Sequence, residues 1–209
     1  MKVLIACEES QTVCKAFRKL GYEAYSCDIQ DCSGGYPEWH IKSDAIAEAY
    51  SGKYDLMIAH PPCTYLSNSG VSWLYNKDKS KNLDRWENLI IGGLFFKQLL
   101  NAPIRFIAVE NPIPHKYALE IIDQKYSQLI QPYEFGHPES KATCFWLKEL
   151  PILMQATDGR NLWATLPKKQ SQRIYYVSGK DRQKIRSKTF QGIADAMAVQ
   201  WGDFVEKQL

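Results

Sequence analysis

Lys2-Val3-Leu4-Ile5-Ala6, then Cys7-Glu8-Glu9-Ser10-Gln11, then Val13, Ala16, Phe17 and Leu20 at i, i+3, i+4 and i+7, then Gly21 and a run from Tyr22 to Cys27 closed by Asp28: this opening decides the fold. The first run is a buried strand, the spaced set is one face of a helix with Gly21 as its C-terminal cap, and the last run is a second strand. Strand, loop, helix, strand and an acid about 20 residues past the loop is the organisation of a nucleotide site in a doubly wound parallel sheet, the acid accepting from ribose hydroxyls. The expected fold class is α/β, a Rossmann-like sheet. The loop Cys7 to Gln11 has no glycine, so it lacks the residue that lets backbone approach a ligand closely. Glu8 or Glu9 could bind an amine or sulfonium, or cap the following helix, where an acid is favoured.

Working outward, Ser43-Asp44 precedes a short helix pattern from Ala45 to Tyr50, so Asp44 is an N-cap that also stands where a ligand would lie. The strand Tyr54 to Ala59 leads into His60-Pro61-Pro62-Cys63. Consecutive prolines make a stiff loop that aims the next side chain, here a thiol. A lone cysteine is also commonly a small buried hydrophobe, and on this loop alone both readings stand. Trp73 to Lys81 reads as polar, mobile chain. A helix follows, with Leu83, Trp86, Leu89, Ile90, Gly93, Leu94, Lys97 and Leu100 on its stripe, ended by Pro103. The strand Ile104 to Val109 runs into Glu110-Asn111-Pro112, placing a carboxylate at the sheet's carboxyl edge beside Cys63. A helix from about His115 to Leu129, a β-like run from Thr143 to Leu147, and a last helix carrying Ile193, Met197, Trp201 and Phe204 complete the pattern.

The 209 residues, 45% hydrophobic and 23% charged, suit one well-buried domain. The six cysteines form no Cys-x-x-Cys pair and have no close histidine, which implies reduced thiols in a cytoplasm and no metal site. The N-terminal run meets Glu8 and Glu9 at once, unlike a signal peptide, and nothing approaches the roughly 20 apolar residues of a membrane span. Charge is uneven. Residues 148–188 carry Lys148, Arg160, Lys168, Lys169, Arg173, Lys180, Arg182, Lys184, Arg186 and Lys188 against Glu149, Asp158 and Asp181, a surplus of seven that leaves the rest acidic. That is the footprint of an anionic partner, nucleic acid or nucleotide, although a solvated lysine-rich loop would look the same. Trp163, Tyr175 and Tyr176 among these charges could stack on bases or cover a core edge. The organisation expected is a core over 1–147, a short basic segment over 148–188 and a C-terminal helix over 189–209.

Pro61-Pro62-Cys63 with Ser67 and Gly70, Glu110-Asn111 at the next strand end, Phe135 to Thr143, and the stretch around Gly192 share their order with the motifs of the cytosine-5 DNA methyltransferases. The chain resembles that family, and more closely its short phage and prophage members. His60 stands where the family has glycine, Thr64 where it has glutamine, and Lys141 and Thr143 where it has two arginines. The resemblance implies a methyltransferase-type Rossmann-like sheet, with a minimal basic insertion in place of a target recognition domain. It implies methyl transfer to carbon 5 of cytosine in DNA through a covalent Cys63 adduct. Glu110, its carboxyl raised by a partly dry site, would assist at ring nitrogen 3, Asn111 would orient Glu110 or the base, and Lys141 would stabilise base or phosphate. S-adenosylmethionine would be held by Cys7, Glu8, Glu9, Asp28, Asp44, Pro61 and Gly192. The glycine-free loop and the short basic segment keep two alternatives open: a pyrimidine-modifying enzyme acting on a nucleotide or single strand, and a non-catalytic nucleotide or nucleic-acid binder that has lost its cofactor.

Overall fold

A computed structural model describes residues 1–157, 159–179 and 182–209, without the side chains of Gln183 and Lys184. Asp158, Lys180 and Asp181 of the basic segment lie outside the described residues. Seven strands form one sheet in the order β3-β2-β1-β4-β5-β7-β6. They are β1 (Lys2–Ala6), β2 (Glu23–Asp28), β3 (His40–Lys42), β4 (Leu56–Ala59), β5 (Phe106–Pro112), β6 (Gln128–Ile130) and β7 (Thr143–Lys148). All pairings from β3 through β5 are parallel, whereas β7 runs antiparallel to both of its neighbours. This is a doubly wound, Rossmann-like sheet with one reversed strand near its edge.

Strands buried on both faces carry unbroken apolar runs, and Val3 to Ala6 and Leu56 to Ala59 have no exposed surface. One face is covered by α1 (Thr12–Lys19) and by the C-terminal helices: α9 (Gln191–Ala196), a π turn (Met197–Trp201) and α10 (Gly202–Glu206). Val13, Phe17, Met197 and Trp201 pack there on Val3, Ile5 and Phe106. The other face is covered by α2 (Ala45–Ala49), α3 (Leu83–Leu100) and α4 (Lys116–Ile122), where Leu89, Phe96, Leu99 and Ile122 meet Leu4, Met57 and Ile107. No helix among the described residues is long and apolar enough to cross a membrane.

Several expectations need correction. Leu20 caps α1 and is exposed, the chain turning at Gly21 with φ +87°. The buried stripe of α3 is Leu89, Gly93, Phe96, Leu99 and Leu100, while Leu83, Ile90 and Leu94 face outward. The helix expected from His115 to Leu129 stops at Asp123, whose left-handed φ of 61° breaks it, and β6 follows. The chain from 73 to 81 closes through a bridge between Tyr75 and Lys81 after a 3-10 helix (Asn68–Leu74), rather than running loose.

Candidate active site

The reversed strand assembles the site. β1, β2, β4 and β5 end at one edge of the sheet, and β7 starts there because it pairs antiparallel with β5, Pro112 facing Thr143. Cys7, Asp28, His60 and Glu110 therefore leave the sheet at the edge that Lys141 approaches from the opposite direction. The chain winds outward in both directions from the β1–β4 boundary, so the loops there diverge and leave a crevice.

The Pro-Pro-Cys loop is fixed at several points. The N–H groups of Leu66 and Ser67 both donate to the Cys63 carbonyl, at 3.1 and 3.0 Å. Asn68 N–H donates to the Ile113 carbonyl at 2.8 Å, and His115 N–H to the Leu66 carbonyl at 3.1 Å, tying the loop to the chain after β5. Asn111, fully buried, donates from Nδ2 to the Pro61 carbonyl at 3.1 Å. Alternation along β5 sends Glu110 and Asn111 to opposite faces, so of the two expected roles, orienting Glu110 or the base, Asn111 does not make the first: its amide holds the loop.

Glu110 is held by His60, which the sequence singles out only as a departure from the resembled motif. His60 Nδ1 lies 3.1 Å from Glu110 Oε2, the two side chains being 9% and 13% exposed. Burial pushes the Glu110 carboxyl up, but the His60 hydrogen bond and the charges of Lys141 and His60 outweigh it and hold the group below its ordinary value. The expected upward shift is thus reversed. His60 also acts electrostatically on Glu8, and its Nε2 is buried with no hydrogen-bond partner among the described residues. The available signal was a histidine where the resembled motif has glycine.

The Cys63 thiol is pushed up by burial and by the negative charge of Glu110, against the positive charges of Lys141 and Arg186. The four residues therefore share one electrostatic neighbourhood, and the resting thiol is protonated. Lys141 is half-buried, its Nζ 3.4 Å from the Lys188 carbonyl, and it lines a small cleft with Glu110, Thr143, Thr189, Phe190 and Met197.

At the ends of β1 and β2, Cys7 and Gln11 take left-handed backbone, φ 59° and 58°, so the glycine-free loop makes its turns with ordinary residues. Glu8 is buried and accepts from the N–H groups of Val13 at 2.7 Å and Cys14 at 3.2 Å. It caps α1, and burial raises its carboxyl despite the charge of His60 and those two bonds. Glu9 Oε2 is buried with no partner. Asp28 accepts from Gln30 N–H at 2.9 Å at the end of β2, and the exposed Asp44 caps α2 through Ile46 N–H at 2.8 Å. Burial raises the Cys7 thiol, helped by the charges of Asp28, Cys27 and Asp44. Gly192 is explained by packing: a Cβ there would strike the Phe135 carbonyl, and its N–H donates to His137 Nε2 at 2.9 Å.

The basic segment is built of four short helices, α5 (Arg160–Thr165), α6 (Lys168–Ser171), α7 (Arg173–Tyr176) and α8 (Arg182–Ser187). Arg173 pairs with Glu139 at 2.9 Å and Ser140 N–H donates to the Ser171 carbonyl at 2.8 Å, so the segment clasps the chain just before Lys141. Trp163 packs on Tyr133, ring centres 5.0 Å apart, whereas Tyr175 and Tyr176 are exposed. Among the described residues no group of three His, Cys, Asp or Glu is arranged to hold a metal ion.

No protein-family model matches this sequence, and no curated protein matches it. One solved structure that it resembles is a protein provisionally described as a DNA modification methyltransferase encoded within an E. coli prophage. The match has 12% identity and a TM-score of 0.44, and covers 70% of this chain and 46% of that one. The chain thus spans less than half the length of that structure, and the likeness says nothing of the site.

Proposed function

We propose that the protein is a methyltransferase acting on carbon 5 of cytosine in DNA, with Cys63 as the nucleophile. The observation that carries this reading is a loop-mounted thiol and a buried carboxylate leaving adjacent strands at one edge of the sheet, with Lys141 lining the cleft at Glu110. Carbon 5 of cytosine is a weak nucleophile until a thiolate adds to carbon 6, and Cys63 is mounted to make that bond. As the thiol adds, its proton is taken up by the Glu110 carboxylate, and Glu110 donates a proton to ring nitrogen 3, where the electron density moves. Lys141 offsets charge on the base or phosphate. Loss of the carbon 5 proton and expulsion of Cys63 restore the ring and the thiol.

The residues present fit S-adenosylmethionine, which when bound supplies the methyl group. Glu9, with its unpartnered buried oxygen, suits the amine or sulfonium, and Asp28 suits the ribose hydroxyls. Glu8 serves by shaping the loop. In this reading 1–147 is the catalytic core, 148–188 contacts the nucleic acid, and 189–209 packs back on the core. The shortness of the four basic helices, none longer than six residues, favours a second reading, a pyrimidine nucleotide or single strand as substrate.

Titration calorimetry with S-adenosylmethionine, beside Asp28→Ala, tests the cofactor. Transfer of labelled methyl to duplex DNA, single strands and deoxycytidine monophosphate, beside Cys63→Ala, tests the chemistry and separates the substrates. Micromolar binding lost in Asp28→Ala and transfer lost in Cys63→Ala are expected. Absence of both binding and transfer would refute the methyltransferase reading and leave the non-catalytic binder.

A further inference from the structure

A second groove runs along α1 and shares no lining residue with the cleft at Glu110. Lys15, Arg18 and Lys19 line it with Tyr22, Tyr36 and Trp39, and its volume of about 460 Å³ falls within the range of small-ligand sites. No carboxylate lines it, and none of its three cations forms a salt bridge among the described residues. Arg18 Nε donates to the Ala24 carbonyl at 2.7 Å and Lys15 Nζ to the Gly34 carbonyl at 3.4 Å, bonds that leave the charges un-neutralised, and three like charges side by side on one helix favour an anion.

The aromatic wall is built rather than incidental. The Arg18 guanidinium lies 4.8 Å from the Tyr25 ring centre and 5.2 Å from that of Trp39, and Trp39 stacks on Tyr36 at 4.1 Å and 4°. The stack ends in Tyr36, 41% exposed. Its backbone is gripped by a side chain with no exposed surface: Gln11 Nε2 donates to the Tyr36 carbonyl at 2.7 Å, and Tyr36 N–H donates to Gln11 Oε1 at 3.1 Å. Gly34 sits against Gln11 so closely that a Cβ would lie 2.5 Å from the Gln11 Cβ. An exposed ring fixed by a buried amide is a preorganised stacking surface, losing little freedom when a ligand lands on it.

We propose that this groove binds a nucleotide unit, its base stacked on Tyr36 and its phosphate held by Lys15 and Lys19. A flat ring on one wall and uncompensated cations on the other match a ligand that is planar at one end and anionic at the other. The unit comes from a single strand or from a free nucleotide. The inference is independent of the methyl-transfer reading, because it needs neither Cys63 nor a cofactor.

The test is anisotropy of a fluorescein-labelled deoxythymidine oligomer with the full-length protein, competition by thymidine monophosphate, and photocrosslinking of a 5-iododeoxyuridine oligomer followed by peptide mapping. Tyr36→Ala keeps both backbone bonds to Gln11, so it should melt as the parent does. Its affinity should fall roughly 5- to 150-fold, the range for losing one stacked base. The Lys15→Glu/Lys19→Glu double variant should flatten the salt dependence by about 1.4 in log–log slope, as expected for two phosphate contacts to a single strand. Crosslinks should map to the Tyr36–Trp39 peptide. Competition by the mononucleotide assigns a free nucleotide, and its failure beside oligomer binding assigns a strand. Crosslinks confined to residues 148–188, or unchanged affinity in both variants, would overturn the proposal.

Discussion

Replacing His60 with leucine removes the hydrogen bond to Glu110 while keeping much of the side-chain volume. In the parent, Glu110 sits below the ordinary glutamate value of 4.5, so it contributes stability that is full above that value and lost as pH falls through the lower folded one. Without His60, burial is opposed only by Lys141. The folded-state carboxyl should then move above its unfolded value, and ionised Glu110 should destabilise the protein at pH 7 to 8. Breaking a buried pair by removing one partner costs about 3–5 kcal/mol; because the Lys141 charge remains, about 2–4 kcal/mol is expected here. Urea denaturation of parent and variant at pH 8 and pH 4.5 measures this. The gap should be large at pH 8 and shrink toward pH 4.5, where Glu110 takes a proton, and His60→Asn should recover part of it. A gap of equal size at both pH values would refute the electrostatic account and make His60 a packing residue.

Three shorter predictions accompany it. Alkylation of Cys63 by iodoacetamide, followed by peptide mapping in a Cys32→Ser background, should keep accelerating beyond pH 9, because the thiol is raised above its ordinary 9.0; a plateau below pH 8 would contradict the burial argument. Asn111→Ala should lose about 1–3 kcal/mol by urea denaturation through the lost bond to the Pro61 carbonyl, and should speed proteolysis within 60–70; unchanged cleavage would mean that the loop is held elsewhere. Gly192→Ala should lower stability by about 1–3 kcal/mol through overpacking against Phe135, without altering binding of S-adenosylmethionine, and a selective loss of that binding would return Gly192 to the cofactor site.

β1, β4 and β5 were legible because a parallel sheet buried on both faces demands unbroken apolar runs, and Leu4-Ile5-Ala6, Leu56 to Ala59 and Phe106 to Val109 supply them. β3 and β6 were not, since each has three residues and owes its conformation to pairing with β2 or β7 rather than to composition. The outward-facing Leu83, Ile90 and Leu94 misled the reading of α3, because apolar residues on both sides of a helix blur its period. At the candidate site, Cys63 and Glu110 could be placed from strand ends alone, and Lys141 from the resemblance. The bond from His60 to Glu110 and that from Asn111 to the Pro61 carbonyl join residues 50 apart in sequence, and no local pattern encodes them.

The reversed strand also bears on how this scaffold tolerates change. β7 ends at Lys148, opposite Ile107 and so at the edge away from Cys63, yet Lys188 returns to Lys141 at the other edge. The described residues between therefore form a strap along the sheet, tied in at its start, where Leu153 joins the core, Gln128 bonds its backbone and Trp201 Nε1 donates to the Pro151 carbonyl. Beyond that tie the strap is an exchangeable cassette. Its length and charge can be rewritten in an engineered library while the seven-stranded platform keeps its register, which makes residues 155–187 the place to graft a larger reader of nucleic acid.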